Sequence, residues 1–354
     1  MRSILPAVES WRDDGKRVAI ATVAKVWGSA PRPPGAKMAV SDAGDIAGSV
    51  SGGCVENAVI EQAREVLAGG EPKLFASAVS DEEAWAVGLT CGGRIEVFIE
   101  PYGGVYPELQ RALGEERLVA RAAIVAGPGL GRQLLLSREG TLAGDLGSPE
   151  LNAQVTRRAR EVLASQLCER IPCDFQGEDV DVLWEVHPPR PKLVIVGAVH
   201  VAIPLITFAK PLGFRCFVID PRSALATRER FPHADRLITE WPDVALAALG
   251  LDEATYVAVL SHDLKLDVPA LRAALASPVR YVGALGSRKT HAQRLAALES
   301  EGLDEAQLAR IHSPIGLRLG GRRAEEIALA IIAEIVAVSH GVAGDAAVER
   351  GRSG

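Results

Sequence analysis

The chain has 354 residues, of which 48% are hydrophobic and 24% charged, with a formal net charge of −6, the makeup of a folded protein of about two domains. The acidic balance and the lack of any Lys/Arg block exclude a nucleic-acid footprint, and the longest apolar runs, LVIVGAV and IALAIIA, are far short of a bilayer span. The opening MRSILPAVESWRDDGKR turns charged too soon for a secretory leader, so a cytoplasmic, reducing setting is expected.

Taken in chain order, RVAIATVAKV (17–26) reads as a strand of small and β-branched residues, AKMAV as a second, and DAGD as a hairpin turn into IAG. A helix follows in which Val55, Ala58, Val59, Ala63, Val66 and Leu67 recur at spacings of three and four, and AGG ends it. The order then repeats: RLVARAAIVAG, GRQLLLS, REGTLAG and a helix through EVLAS. These two βββα copies, 17–69 and 117–165, place an α+β domain over 1–186. Between them GLTCGGRIEVFIEP reads as a loop and an alternating strand.

A proline-rich linker, 187–191, precedes a change of pattern. KLVIVGA, FRCFVID, TYVAVLSHD and RYVGALGS are buried strands of parallel type separated by helical segments, and RAEEIALAIIAEIVAVSHG is a long helix. Residues 192–340 therefore form a Rossmann-like, doubly wound parallel-sheet domain, with 341–354 a flexible tail. The fold class is α/β, with an α+β domain first.

The two copies differ in two loops. GSAPRPPGA (28–36) shrinks to GPGLG, and SGGC (51–54) becomes GSPE, so Arg32 and Cys54 vanish together and Glu150 stands where Cys54 would be. Scaffold survives duplication, whereas a site is free to be lost from one copy. Cys54, at the start of a helix beside Ser51, Gly52 and Gly53, would have a stabilised thiolate among amides suited to an anion. Side chains at the two glycines would crowd those amides away. Arg32 would meet a phosphate or carboxylate, and Cys91 with Gly92 forms a third candidate loop. Cys168, Cys173 and Cys216 lack such a setting and read as structural; the five cysteines show no CxxC spacing for a disulfide framework or a structural zinc.

In the second domain GAVHVA (197–202) follows a strand and opens a helix, with Gly197 and His200 in the turn and Asp220 at the end of the next strand, as in a dinucleotide fingerprint. Val199 stands where the fingerprint wants its second glycine. Asp220 would bind a ribose or else pair with Arg222. His262 and Asp263 in SHD, and Gly286, Ser287 and Arg288 in GSRKT, also follow strands, at the edge where such sheets bind ligands; helix capping would explain the serine equally.

GSAPRPPGAKMAV, GSVSGGCVENAV, GLTCGG, GAVHVA, DPR, RFPHAD, SHD, YVGALGSRKT, PIGL and AEEIALAIIAEIVA occur in one order along nearly the whole chain. In this the sequence resembles the XdhC/CoxI family of molybdenum-hydroxylase maturation factors. The resemblance implies an accessory factor, not the dehydrogenase itself, that binds molybdenum cofactor (molybdopterin) and assists its sulfuration and insertion. A cysteine desulfurase and a hydroxylase such as xanthine dehydrogenase would be its partners, and Cys54 would touch or ligate the molybdenum. It also suggests a homodimer. The chain is short for a complete molybdenum hydroxylase and lacks the clustered cysteines of a plant-type iron–sulfur centre. The competing reading is an NAD(P)-dependent oxidoreductase built on the second domain.

Overall fold

A computed structural model describes residues 1–28, 32–53, 55–79, 93–165 and 167–342. The chain divides into two compact units, 1–189 and 190–354.

The first unit opens with α1 (Leu5–Asp13), β1 (Val18–Gly28), β2 (Lys37–Ser41), β3 (Ile46–Gly48), α2 (Glu56–Gly69), β4 (Lys73–Val79) and β5 (Gly93–Pro101). It continues with α3 (Tyr106–Gly114), β6 (Val119–Ala126), β7 (Gln133–Ser137), β8 (Gly140–Asp145), α4 (Pro149–Ser165), β9 (Glu169–Phe175) and β10 (Glu178–His187). The strands form two antiparallel five-stranded sheets, ordered β3-β2-β1-β5-β4 and β8-β7-β6-β10-β9. The repeat is thus longer than its sequence signature: each copy is αβββαββ, and the strand after the Cys91 loop belongs to the first copy rather than lying between the two. Even the leading helices match, each nine residues with proline in the first turn.

One face of the first sheet buries Val23, Val97 and Ile99 beneath Val59, Ala63 and Val66 of α2. The second sheet does the same with α4. The opposite faces meet, since Ala24 and Phe98 cluster with Ala123, Val125 and Leu183. Charged groups are buried in this unit as well. Glu100 is paired across β1 with Ile20, and Glu185 across β6 with Arg121, so the two acids occupy equivalent positions in the two copies. Arg121 bridges both carboxylates, and Lys37 Nζ lies 2.5 Å from Glu185 Oε1. Gln133, which matches Lys37 in register, donates to Glu100 Oε2 at 2.5 Å, and the Tyr106 hydroxyl donates to Glu100 Oε1 at 2.8 Å.

The second unit holds β11 (Lys192–Val196), α5 (Ala202–Ala209), β12 (Arg215–Ile219), β13 (Arg236–Ile238), α6 (Pro242–Leu249), β14 (Thr255–Val259) and α7 (Leu264–Leu275). After these come β15 (Tyr281–Ala284), α8 (Arg288–Ser300), α9 (Glu305–Leu308), β16 (Ile311–His312) and α10 (Ala324–Ser339). Its six strands are all parallel, in the order β13-β12-β11-β14-β15-β16. Counted within the unit this is 3-2-1-4-5-6, the Rossmann order. Leu193 and Ile195 face α5 and α10, whereas Val194 and Val196 face α6, α7 and α8, which is why the strand reads as an unbroken apolar run.

Candidate functional site

Three segments singled out in the sequence leave the first sheet at one edge. β1 ends at Gly28, which pairs with Gly93 at the start of β5, and Gly93 also pairs with Val79 at the end of β4. β3 ends at Gly48, opposite Met38 near the start of β2. The loops 28–36, 49–55 and 80–92 therefore all spring from this rim. Cys54, Cys91 and Gly92 lie outside the described residues. Arg32 is exposed, and no described ion pair or side-chain hydrogen bond involves it.

The loop before α2 is organised by a residue that the sequence did not single out. The carboxylate of Glu56, the first residue of α2, accepts from the amides of Ser51 (2.9 Å), Gly52 (2.8 Å) and Gly53 (2.7 Å), and from the hydroxyls of Ser49 (2.8 Å) and Ser51 (2.5 Å). The amides expected to await an anion thus already hold one, contributed by the protein itself. Burial pushes this carboxyl up, but the donors from Ser51, Ser49 and Gly53 outweigh it and hold the pKa at about 2. Gly52 and Gly53 have φ of 83° and 129°, and a Cβ on Gly53 would meet nothing within 4 Å. Gly53 is therefore favoured by its backbone conformation, with no neighbouring protein atom among the described residues against which a side chain would clash. In the second copy, Asn152 stands in for Glu56, accepting from the Leu146 amide and donating to Asp145. There the helix starts at Pro149, and Glu150, the counterpart of Cys54, accepts from Ser148.

This arrangement carries a pH prediction. Glu56 has a folded pKa below its ordinary 4.5, so its contribution is complete above that value and lost as pH falls from about 4.5 to about 2. Hydrogen exchange of the Ser51, Gly52 and Gly53 amides should stay protected at pH 6 and lose protection across that window. Protection unchanged at pH 2 would show that the carboxylate does not order the loop.

The rim holds three further residues that sequence reasoning missed. Trp27, 36% exposed, has Lys25 Nζ and the Arg94 guanidinium each 4.8 Å from its ring centroid. Arg94 lies directly across the ladder from Trp27. In the second copy the matching positions are Ala126, Pro128 and Asp179, so the cations and the aromatic are lost on the same rim as Arg32 and Cys54. Such a platform suits a planar, anionic ligand. The signal was present in the repeat, but pairing Trp27 with Arg94 needs the register. A cavity of about 320 Å³ opens instead where the two copies meet, lined by Pro72 and Glu100 of the first and Gly104, Arg132, Gln133 and Asp145 of the second, and includes none of the rim residues. Among the described residues no group of three or more His, Cys, Asp or Glu could hold a metal ion.

Burial pushes the thiols of Cys168 and Cys216 up to about 12 and raises that of Cys173, in keeping with a structural role. In the second unit Asp220 is buried and committed. Its Oδ2 accepts from the Ala198 amide (2.8 Å) and Arg222 Nη2 (2.8 Å), and its Oδ1 from the Arg222 amide (3.0 Å) and Nε (2.9 Å). The alternative of an Arg222 partner is the one realised. Gly197, with φ of 106°, lets the turn pass Ser261, whose amide nitrogen would lie 2.9 Å from an added Cβ. Asp263 caps α7 by accepting from the Lys265 amide, and Ser287 caps α8 by accepting from the Thr290 amide. His200, His262 and Arg288 are exposed. No helix among the described residues is long and apolar enough to cross a membrane.

Comparison with known proteins agrees with this architecture. Residues 11–77 match the model of the XdhC and CoxI family, and residues 193–335 match that of the XdhC Rossmann domain. The chain is 26% identical over 334 residues to a Bacillus subtilis (strain 168) protein named as a probable xanthine dehydrogenase subunit, covering 92% of this chain and 94% of that one. It is also 26% identical over 325 residues to the molybdenum cofactor insertion chaperone PaoD of Escherichia coli (strain K12), covering 92% and 84%. A crystal structure of a xanthine dehydrogenase from Bacillus halodurans is similar with a TM-score of 0.77 at 25% identity over 96% of each chain.

Proposed function

Because the chain belongs to the XdhC and CoxI family, we propose that it is a maturation factor that holds molybdenum cofactor at the rim of its first sheet and assists its insertion into a molybdenum hydroxylase. The observation that carries this reading is the gathering of the Arg32, Cys54 and Cys91 loops on one rim, together with the loss of Arg32, Cys54 and the Lys25–Trp27–Arg94 cluster from the matching rim of the second copy. The insertion chaperone PaoD among its relatives supports it.

The residues present suit the group. Molybdenum cofactor is an anionic, phosphorylated pterin dithiolene, and when bound it supplies the metal centre on which a client enzyme depends. Arg32, Lys25 and Arg94 offer cations to its phosphate, and Trp27 offers an aromatic face. The amides of Ser51, Gly52 and Gly53 are taken by the Glu56 carboxylate, so they fix the course of the chain just before Cys54 and leave the anion to the cations of the rim. Cys54, next in the chain, would contribute a thiolate, and Cys91 with Gly92 remain the candidates of the third segment. Receipt of sulfur from a cysteine desulfurase, handover to the client and self-association as a dimer belong to the same proposal.

Anaerobic titration with molybdopterin tests it. Wild type should retain the cofactor through gel filtration, and Cys54→Ala should bind at least about tenfold more weakly. Cofactor should also slow alkylation of Cys54 while leaving Cys168 and Cys216 unlabelled. Equal labelling of Cys54 with and without cofactor would refute the site.

A further inference from the structure

The second unit spends one amide of its fold's usual phosphate turn on its own carboxylate and offers a further anion site elsewhere. In a Rossmann unit the turn after the first strand presents amides to a pyrophosphate, but here the Ala198 amide is spent on Asp220. The first turn of α7 is served by Asp263. The crevice between β14 and β15 differs. Arg294, in the second turn of α8, is fully buried, with Nε and Nη2 on Asp267 Oδ2 at 2.9 and 2.5 Å and Nη2 also on the carbonyls of Leu285 (2.8 Å) and Ser261 (3.2 Å). Its Nη1 is buried without a partner. That nitrogen would lie 3.0 Å from a Cβ on Gly286, the residue just before the α8 cap, whose φ is 151°. A side chain at Gly286 would therefore fill the space against the guanidinium. One turn earlier on the same helix, His291 Nδ1 is also buried without a partner. Ser287 serves the Thr290 amide, and no described hydrogen bond uses the amides of Arg288 or Lys289, whose cationic side chains are exposed.

An unpaired buried guanidinium nitrogen is costly unless something comes to meet it. A 13-residue helix pointing its free amides past a glycine at the carboxyl edge of a parallel sheet is where an oxyanion is met. We propose that a phosphate group of a nucleotide-type ligand binds over Gly286, between β14 and β15, held by Arg294 Nη1, the Arg288 and Lys289 amides and the Arg288 side chain. The nearby acids do not oppose it: Asp267 is neutralised by Arg294 and accepts from Ser261, and Asp263 is turned to its cap. This site is independent of the cofactor reading for the first unit.

Calorimetric titration of the full chain with ADP, and separately with inorganic phosphate, tests the proposal. ADP should bind saturably, with phosphate competing. Arg288→Gln, an exposed change, should weaken ADP at least about threefold, and Gly286→Ala about tenfold, the loss of hydrogen bonds to a charged group. Circular dichroism checks that both variants are folded. Asp220→Asn should bind as wild type does. Absence of saturable binding to either probe overturns the proposal, as does binding that both variants leave unchanged. Loss with Asp220→Asn but not with Arg288→Gln also overturns it, by putting the ligand at the turn after β11.

Discussion

Arg121→Met should destabilise the first unit by about 3–5 kcal/mol, the usual cost of removing one partner from a buried charge cluster. Arg121 lies between Glu100 and Glu185, all three buried. Burial raises the pKa of Glu100 against the pull of Arg121, whereas Lys37 and Arg121 together overcome burial and hold Glu185 well below the carboxylate range. Methionine would leave Glu185 with Lys37 but strand Glu100 on neutral donors from Gln133 and Tyr106. Lys37→Met should cost less, because Arg121 still serves Glu185. Hydrogen exchange resolved by peptide reports where the loss falls: β6 and β10 should lose protection while β11 and β14 keep theirs. A loss below about 1 kcal/mol, the range of exposed pairs, would mean that the cluster does not hold the sheets together.

Gly48→Ala and Gly144→Ala should each destabilise the protein strongly, but only the first should abolish cofactor retention. The two glycines are counterparts, with φ of 79° and 92°, and an added Cβ would lie 2.3 Å from the Lys37 carbonyl oxygen in one case and 2.2 Å from that of Gln133 in the other. Left-handed strain alone is of order 1–3 kcal/mol, and a backbone overlap cannot be relieved by turning a side chain. Gly48 is the last residue of β3, from which the chain enters the loop held by Glu56, so its displacement moves the rim. Gly144 feeds the corresponding loop of the second copy, where Arg32 and Cys54 have no equivalent. If Gly144→Ala abolished retention as completely as Gly48→Ala at matched stability, the cofactor would not belong to the first rim.

The second unit was plain in the sequence because strands buried on both faces read as apolar runs such as LVIVGA, each followed by a turn residue. The repeat was visible only in part. β10, EDVDVLWEVH, has inward acids whose partners sit on other strands, and buried charge breaks the alternation that marks a strand. The nine-residue helices α1 and α3 are too short for periodicity to declare them. At the rim, comparing the copies exposes Arg32 because its loop changes length, and Cys54 because SGGC is replaced residue for residue by GSPE. Glu56 does not stand out in the sequence, since nothing local says that its side chain turns back onto three preceding amides. Trp27 and Arg94 are 67 positions apart in the chain, and only strand register makes them neighbours.

The crossed pairing of charges between the two copies bears on how such a molecule can have changed over time. Glu100 belongs to the first copy and depends on Arg121 of the second; Glu185 belongs to the second and is shared with Lys37 of the first. Once the duplicated halves had traded counter-ions in this way, neither could be discarded or replaced by a second example of the other without stranding charge in the interior. Evolutionary freedom was then confined to the margins of the sheets, where a cysteine or an arginine can come and go at little structural cost. A protein locked in its centre and permissive at its borders can keep one border for chemistry and let the other drift.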